Sequence, residues 1–213
     1  PLLYPNDSES AVQRYEFLTG EELLVAPVVD KGAIDREVYF PPNNDWIDFE
    51  TGVRYKGGSI QKVAAPLEKL PLFVKEGTLL PMLPEDVDTL VDPSEIKTGG
   101  AVTPNNRLRL LLFPKKNSLS ASASLKYENA HYKLSDNGKT IRFTGKGNTS
   151  RVELVIPAPP FKAVRKGNVK LSFEKSCASL RNSDKEGTCY NSDSRTFNVF
   201  TAVKGDFDLS IIR

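Results

Sequence analysis

Residues 21–41, EELLVAPVVDKGAIDREVYFP, decide how the fold of this chain is interpreted. The apolar run ELLVAPVV is nearly continuous, and such a run is typical of a strand that is covered on both faces. The stretch contains no histidine, no cysteine and no paired acids inside its apolar runs. It therefore predicts a packed interior that brings no obvious catalytic group with it.

The composition of the whole chain is that of an ordinary globular protein. The 213 residues are 39% hydrophobic and 26% charged, and they are enough for one large core or two modest ones. The 29 Lys and Arg residues are scattered among 27 acids, and the net charge of +2 is too small to indicate a nucleic-acid partner. No apolar run approaches the length of a membrane span, so we expect no membrane partner. Because the chain starts at Pro1, we expect a piece of a longer protein.

Most of the chain shows the period-two alternation of β-strands. Apolar residues occupy alternate positions in RVELVIP (residues 151–157), NVKLSF (168–173) and DFDLSII (206–212). The tetrapeptide SDNG at residues 135–138 is a strong hairpin signal between two such strands. Short strands at this spacing indicate antiparallel sandwiches. The predicted fold class is therefore mainly β, with two antiparallel β-sandwich-like domains.

The beginning of the chain has a different pattern. SESAVQRYEFLTG (residues 8–20) predicts a short helix, with an apolar stripe of Val12, Tyr15 and Leu18 and an end at Gly20.

A search for catalytic acids finds one pair at a suitable spacing. Asp206 and Asp208 lie two positions apart on a predicted strand, so their Cα atoms would be about 6.6 Å apart. Two carboxylates near this distance are sufficient to hydrolyse a glycosidic bond. This face of the strand also carries Ser210 and opposes the apolar face, so we interpret the pair as solvated. The pairs Asp45/Asp48 and Asp86/Asp88 lie in turn-rich stretches.

Other kinds of chemistry lack the residues that they need. The single histidine, His131, lies next to a predicted turn, where a histidine is usually solvated. The sequence does not group carboxylates around it or around the cysteines as a metal site requires. Gly-rich phosphate loops and the G-x-S-x-G nucleophile motif are also missing from the sequence. We predict no catalytic residue, no metal and no cofactor in these 213 residues.

Two features point to the secretory pathway. Cys177 and Cys189 are twelve positions apart, and two strands joined by the intervening loop would bring them within bonding distance. We predict a disulfide, and two unrelated thiols are the alternative. Asn6 and Asn148 both begin N-glycosylation tripeptides in turn-like surroundings. Together these features predict a secreted protein.

Several ordered motifs between residues 21 and 81 carry a family resemblance. They are LLVAPV at residues 23–28, WIDFETG at 46–52, GG at 57–58, APL at 65–67 and PLFVKEG at 71–77, followed by Pro81. With these motifs the segment resembles the region after the catalytic barrel in glycoside hydrolase family 31, the family of α-glucosidases and α-xylosidases.

The resemblance implies how the chain is divided into domains and where in the parent enzyme catalysis takes place. Residues 1–20 would be the remnant of a β/α barrel and residues 21–83 a proximal C-terminal β-domain. Residues 84–104 are rich in Pro, Asp and Gly, which predicts a linker, and the alternation in residues 105–213 predicts a distal β-sandwich. In the family, two aspartates on the barrel act as nucleophile and general acid/base, which is retaining chemistry. The barrel motifs that hold them do not occur in this sequence. No catalytic residue is carried over to these positions.

The residues of the matched motifs have structural interpretations. Trp46 and Phe49 are large apolar anchors for a small sheet, and Phe73 belongs to the same kind of motif. Gly52 allows a turn with positive φ, and Pro71 fits the entry to a strand. For Trp46 the alternative is a platform on which a sugar ring stacks.

Three functional hypotheses remain open at this point. In the first, the chain is a non-catalytic C-terminal accessory region that packs against the barrel of an α-glycosidase and is inactive alone. Its partner would be that barrel, and it would meet oligosaccharides only through the parent enzyme. The second is a carbohydrate-binding module that uses Tyr127, Tyr132 and Tyr190. The third is a surface or adhesion domain closed by the Cys177–Cys189 disulfide.

Overall fold

The computed structural model describes residues 3–85, 107–125, 130–147, 151–203 and 205–213. The chain divides into two compact units, Pro1–Thr78 and Leu79–Arg213. Strands dominate both units, which confirms the mainly β class. No helix among the described residues is long and apolar enough to cross a membrane. The predicted linker, residues 84–104, lies outside the described residues except for its first two positions.

The first unit is a small sheet with a separate two-stranded ribbon. The sheet has the order β1-β2-β7-β4-β5, and β3 pairs with β6 to form the ribbon. All of these strand pairs are antiparallel. The elements are α1 (Ser8–Val12), β1 (Phe17–Thr19), β2 (Leu23–Val25), β3 (Asp35–Phe40), β4 (Trp46–Asp48), β5 (Arg54–Tyr55), β6 (Ser59–Ala64) and β7 (Leu72–Lys75).

Aromatic residues join the ribbon to the sheet. Trp46 is completely buried, and its indole N–H donates a hydrogen bond to the Pro41 carbonyl at 3.0 Å. The ring of Phe40 on the ribbon stacks on Tyr55 at 4.7 Å and meets the edge of Phe73 at 4.9 Å. The large apolar area that these rings bury explains why the WIDFETG and PLFVKEG motifs belong together in this unit.

The beginning of the chain differs from the sequence-based expectation. The predicted helix over residues 8–20 is wrong, because α1 ends at Val12 and residues 17–19 form strand β1. Val12 and Tyr15 are more than half exposed, so the predicted stripe is not buried. Gly20 does end the segment, at φ 68°. Pairing of β1 with β2 replaces the last turns of the helix, and the assignment of residues 1–20 to a barrel remnant stays a prediction.

The apolar run ELLVAPVV is also a shorter strand than expected. Only Leu23–Val25 pair as β2, and Leu24 is buried while its two neighbours are partly exposed. Pro27 follows soon afterwards, and a proline cannot donate to a strand ladder. Val29, at the end of the run, is 55% exposed. The prediction of a strand covered on both faces over the whole run is therefore wrong.

The second unit is a single twelve-stranded sheet that folds back on itself. The order is β15-β14-β19-β12-β11-β10-β8-β9-β13-β18-β17-β16. The elements are β8 (Thr78–Met82), β9 (Arg107–Phe113), β10 (Ala121–Leu125), β11 (Ala130–Asp136), β12 (Thr140–Gly147), β13 (Arg151–Ile156), β14 (Ala163–Lys166), β15 (Val169–Lys170), β16 (Phe173–Glu174), α2 (Cys177–Arg181), β17 (Gly187–Asn191), β18 (Thr196–Thr201) and β19 (Gly205–Ile212).

The two ends of this sheet are close along the chain. The edge strands β15 and β16 are separated by only two residues, Leu171 and Ser172, so the sheet must curl until its ends approach each other. One core then contains side chains from both halves of the sheet, such as Phe143 and Leu209 from one and Leu110 and Leu154 from the other. This is the packing of a β-sandwich.

Local signals in this unit were mostly predicted correctly. The SDNG hairpin joins β11 to β12, with Gly138 at φ 87°. The side chain of Asn137 accepts hydrogen bonds from the backbone N–H groups of Lys139 and Thr140 at 3.0 and 2.8 Å. In β19 the apolar face is buried at Leu209 and Ile211, as the alternation predicts.

Two expectations for the second unit need correction. The sheet is not wholly antiparallel, since β9 pairs with β13 and β16 pairs with β17 in parallel. The segment NVKLSF is not one strand with a buried face. It breaks at Leu171 and Ser172 between the two sheet edges, and Val169 and Phe173 are 67% and 57% exposed.

Candidate functional site

The acids and the histidine considered for catalysis lie apart on the surface or in turns. Asp206 and Asp208 are both exposed, and Asp208 forms an ion pair with Arg142 at 3.1 Å. His131 is exposed on β11. Asp86 and Asp88 lie outside the described residues. Within the part of the chain that the structure describes, no group of three or more His, Cys, Asp or Glu residues is arranged to hold a metal ion.

Asp48 has a structural role in the turn of the WIDFETG motif. Its side chain is 1% exposed, and Oδ1 accepts hydrogen bonds from the backbone N–H groups of Glu50 and Thr51 at 3.0 and 2.8 Å. The ammonium group of Lys69 donates to Oδ2 at 2.8 Å. Burial acts to raise the pKa of Asp48, but the hydrogen bonds from Lys69 and Thr51 outweigh it and lower the pKa below its ordinary value. Gly52 closes the turn at φ 70°.

The predicted anchors of the first unit are placed as structural residues. Trp46 and Phe73 are completely buried, and Pro71 is buried at the entry to β7. Phe49 is half-buried. Because the Trp46 ring is enclosed by the core, it cannot stack on a sugar, and the core-packing interpretation is the one that fits.

The disulfide is confirmed. The Cys177 and Cys189 sulfurs are bonded, with the Cα atoms 5.4 Å apart. The bond ties α2 to β17, where both cysteines pack with Leu180 and Phe200 in a small buried cluster. Of the predicted glycosylation sites, Asn6 is exposed in the turn before α1, and Asn148 lies outside the described residues. Modification of Asn6 stays a prediction.

The tyrosines proposed as sugar platforms are not arranged as one. Tyr132 is 1% exposed and its ring packs near Phe143 and Phe207, so stacking on a sugar is contradicted for this residue. Tyr190 is half-buried against the core of the second unit, and Tyr127 lies outside the described residues.

An apolar surface near the beginning of the chain was not predicted. Among the described residues 3–17, four large apolar side chains are 46–66% exposed, and we call them the N-terminal face: Leu3, Val12, Tyr15 and Phe17. A cavity of about 250 Å³ opens in this region, and its lining includes Leu3, Phe17 and the polar residues Gln13 and Glu16. Leu3 and Phe17 line the same cavity, and contiguous exposed apolar surface marks an interaction site more often than single exposed residues do.

Glu16 is the polar group of this region. Its side chain is 4% exposed, and Oε1 accepts a hydrogen bond from the Tyr39 backbone N–H at 3.2 Å and lies 3.5 Å from Arg36. Oε2 is buried and has no hydrogen-bond donor among the described residues. Burial raises the pKa of Glu16, although the Tyr39 N–H and Arg36 oppose the shift. Its position between Tyr15 and Phe17 was the only sequence signal of a carboxylate in apolar surroundings.

The Tyr39 side chain links this cavity to α1. Its hydroxyl donates a hydrogen bond to Asp7 at 2.8 Å, and Ser10 donates to the same carboxylate oxygen at 2.6 Å. Burial and the bond to Asp7 raise the pKa of Tyr39 to about 12. Tyr39, one of the residues that line the cavity, is therefore held in place by a hydrogen bond to the segment that contains α1.

Comparison with known proteins identifies the first unit. A family model described as the glycosyl hydrolase family 31 C-terminal domain matches residues 1–80. These residues therefore resemble the C-terminal domain of glycosyl hydrolase family 31. An isomaltosyltransferase of Sporosarcina globispora is 38% identical to this chain over 81 residues, and α-glucosidase 2 of Bacillus thermoamyloliquefaciens is 38% identical over 77 residues. These alignments cover 38% and 36% of this chain but only 7% and 10% of the two relatives.

Solved structures extend the likeness to the second unit. The whole chain superimposes on a family 31 dextranase of Flavobacterium johnsoniae with a TM-score of 0.80 and 26% identity. The match covers 100% of this chain and 28% of the dextranase. Both units thus have the fold of the corresponding part of a family 31 enzyme, and the resemblance drawn from the sequence motifs is confirmed.

Proposed function

We propose that this chain is the non-catalytic C-terminal region of a retaining α-glycosidase and that it stabilises the catalytic barrel of the same polypeptide by packing against it. The N-terminal face is the observation that carries this proposal. It places four large, exposed apolar side chains and a buried, half-satisfied carboxylate in the unit that matches the family model.

The relatives are much longer than the segment that aligns with this chain, which supports the proposal that the barrel partner belongs to the same polypeptide. The matched alignments leave nine-tenths or more of each relative outside the part that this chain covers. One relative is named an α-glucosidase, so we propose oligosaccharides with α-glycosidic bonds as the substrates of the parent enzyme. The described residues of this chain place no pair of catalytic acids together, and the reaction would be carried out by acids elsewhere in the polypeptide.

The energetics of the N-terminal face favour a covered state. Each of its side chains would gain about 1.5–3 kcal/mol if it passed from full exposure to full burial, and roughly half of that remains to be gained here. Oε2 of Glu16 is already buried, so a donor from the partner would add a hydrogen bond without a further desolvation penalty on this side.

Hydrogen exchange tests the docking. The isolated 213-residue chain and the longer natural polypeptide that contains it would be compared peptide by peptide. We expect amides of residues 12–19 to exchange more slowly in the longer polypeptide, with the hairpin at residues 135–138 as an internal control that does not change. Equal exchange at residues 12–19 in both would contradict the docking.

Activity of the isolated chain is the second test. We expect no turnover of nitrophenyl α-glucoside or nitrophenyl α-xyloside by the 213 residues alone. Hydrolysis at enzyme-like rates, with the contaminating activity excluded by a mock purification, would contradict the accessory role. We also propose secretion, for which the buried Cys177–Cys189 disulfide is the supporting observation.

A further inference from the structure

The cavity beside the N-terminal face has a lining that narrows the chemistry of its occupant. Its volume is about 250 Å³. Among the described residues, the apolar part of the lining consists of Leu3, Phe17, Leu18, Leu24 and Pro41. The polar part consists of Tyr4, Ser10, Gln13, Glu16 and Tyr39. All of these residues belong to the first unit.

The polar side chains of the lining direct their protons to other groups of the chain. The hydroxyls of Ser10 and Tyr39 both donate to Asp7, at 2.6 and 2.8 Å. The Gln13 amide donates to the Glu9 carbonyl at 3.1 Å. Because a hydroxyl carries a single proton, these two hydroxyls can offer only lone pairs to an occupant of the cavity.

Glu16 adds a buried acceptor that has no donor. Its side chain is 4% exposed, and Oε1 accepts from the Tyr39 backbone N–H and lies 3.5 Å from Arg36. The Arg36 guanidinium also donates to the carbonyls of Pro27 and Glu37. Oε2 has no hydrogen-bond donor among the described residues. A buried acceptor without a donor costs free energy that an occupant with an N–H group would recover.

Negative charge surrounds the same cavity. Residues 3–22 contain five acidic residues and one arginine. Burial raises the pKa of the Tyr4 hydroxyl, and the charges of Glu21 and Asp7 raise it further. Asp7 and Glu9 add to the effect of burial on the pKa of Tyr39 in the same way. The hydroxyls that bind Asp7 are neutral and leave its charge in place, so the field in the cavity favours a cation.

We propose that the cavity receives a basic side chain, lysine or arginine, from the catalytic barrel, with the charged head at Oε2 of Glu16 and the apolar stem against Leu3 and Phe17. This inference rests on the proposed function, which supplies the barrel as the partner. Long basic side chains bury their methylene stems along apolar surface and keep the head with polar partners. The apolar lining, the unpaired acceptor and the negative field each match one part of such a side chain.

Small molecules that imitate the side chain test the proposal on the 213-residue chain. Butylguanidinium imitates arginine, butylammonium imitates lysine, and butylurea has nearly the shape of butylguanidinium with N–H donors but no charge. Each would be titrated at constant ionic strength, and the amide signals of Phe17, Leu18 and Tyr39 would be followed by NMR. We expect at least one cation to bind at millimolar concentration and about tenfold more tightly than butylurea, because its hydrogen bond to Glu16 is charge-assisted.

Glu16→Gln removes the charge and keeps an acceptor for the Tyr39 N–H. We expect the preference for the cation over butylurea to fall to about twofold or less in this variant. Glu9→Gln is the matched control, since Glu9 is an exposed carboxylate on α1 outside the lining, and it should change the preference by no more than about twofold. The comparison of probes in the wild-type chain needs no variant, so it decides even if Glu16→Gln fails to fold.

Hydrogen exchange at residues 12–19 separates failure of this inference from failure of the docking. Preference for a cation, its loss in Glu16→Gln and slower exchange in the longer polypeptide support the proposal, and the tighter cation distinguishes lysine from arginine. Equal binding of the cations and butylurea, no binding of any probe, or a preference that survives Glu16→Gln overturns the basic occupant, while slower exchange still supports docking. Preference for a cation without slower exchange overturns the docking and, with it, the barrel as the source of the side chain.

Discussion

Asp48 offers a direct test of how the first unit is held together. Its carboxylate is almost completely buried, accepts two backbone hydrogen bonds within the turn and forms an ion pair with Lys69, whose side chain is 15% exposed. In Asp48→Ala the N–H groups of Glu50 and Thr51 lose their acceptor and the Lys69 ammonium loses its partner. Breaking a buried pair in this way costs about 3–5 kcal/mol of unfolding free energy.

Asp48→Asn separates the two contributions. The amide oxygen can still accept from the turn, so the expected loss is that of the charge-assisted bond to Lys69, about 1.5–3 kcal/mol. Trp46 is the only tryptophan of the chain and is fully buried in the same unit. Denaturant unfolding followed by its fluorescence therefore reports on the first unit alone.

The pH dependence of the Asp48 variants is fixed by the sign of the pKa shift. The pKa of Asp48 is lowered from its ordinary 3.8 in the folded state, so the unfolded chain takes up the proton first as the pH falls. The stabilisation by this carboxylate is complete above the unfolded pKa and is lost as the pH falls through the folded pKa. We expect the gap between wild type and Asp48→Asn to be constant near neutrality and to shrink below about pH 4.

Glu50→Gln is the control for these measurements, because it removes an exposed carboxylate two residues away and should change stability by no more than about 0.5 kcal/mol. A loss below about 1 kcal/mol in Asp48→Ala, or an equal loss in Glu50→Gln, would refute the assignment of Asp48 as the anchor of the turn.

The remaining predictions concern other single residues. Glu16→Gln should leave the isolated chain as stable as wild type or slightly more stable, because it relieves a buried, half-paired charge. The same substitution should destabilise the longer polypeptide by about 1–3 kcal/mol, because a donor from the partner would lose a charged acceptor. Unfolding followed by Trp46 fluorescence measures the isolated chain, and a stability change of the same sign in both polypeptides would contradict a donor from the partner. Cys189→Ser should lower the unfolding free energy by about 3 kcal/mol, because the disulfide closes a loop of about twelve residues. Thermal unfolding followed by circular dichroism measures this change, and the reduced wild-type chain should lose a similar amount of stability. Gly57→Ala should lower the unfolding free energy by more than about 2 kcal/mol, since its Cβ would lie 1.9 Å from the Asn44 carbonyl oxygen. Gly52→Ala is the control, because its Cβ meets only open space at a positive φ, and it should cost about 1 kcal/mol by the same Trp46 assay. Equal losses of stability in the two variants would contradict the crowding at Gly57.

The first residues of the chain show where local sequence signals fail. The spacing of Val12, Tyr15 and Leu18 fits a helix, yet residues 17–19 pair as a strand with residues 23–25. Helix propensity over one or two turns is worth little beside the hydrogen bonds of a sheet edge and the burial of Leu24. A periodic pattern of three apolar residues was too short to exclude the strand.

The sequence by itself determined the features that depend on neighbouring residues. The β class follows from period-two alternation, the hairpin at residues 135–138 follows from Asn137 and Gly138, and the ordered motifs between residues 21 and 81 follow the family. The disulfide could also be predicted from the sequence, since its cysteines are only twelve positions apart.

Only the tertiary structure decided the features that depend on residues far apart in the chain. The parallel pairing of β9 with β13 joins residues more than forty positions apart and places Arg109 opposite Glu153. Glu16 accepts a hydrogen bond from the backbone N–H of Tyr39, and the partner of Asp48 is Lys69, twenty-one positions away. Alternation predicts which face of a strand is apolar, but it does not predict which strand lies beside it. Backbone hydrogen bonds are the same for every neighbouring strand, so the pairing of strands is decided by the packing of the whole core.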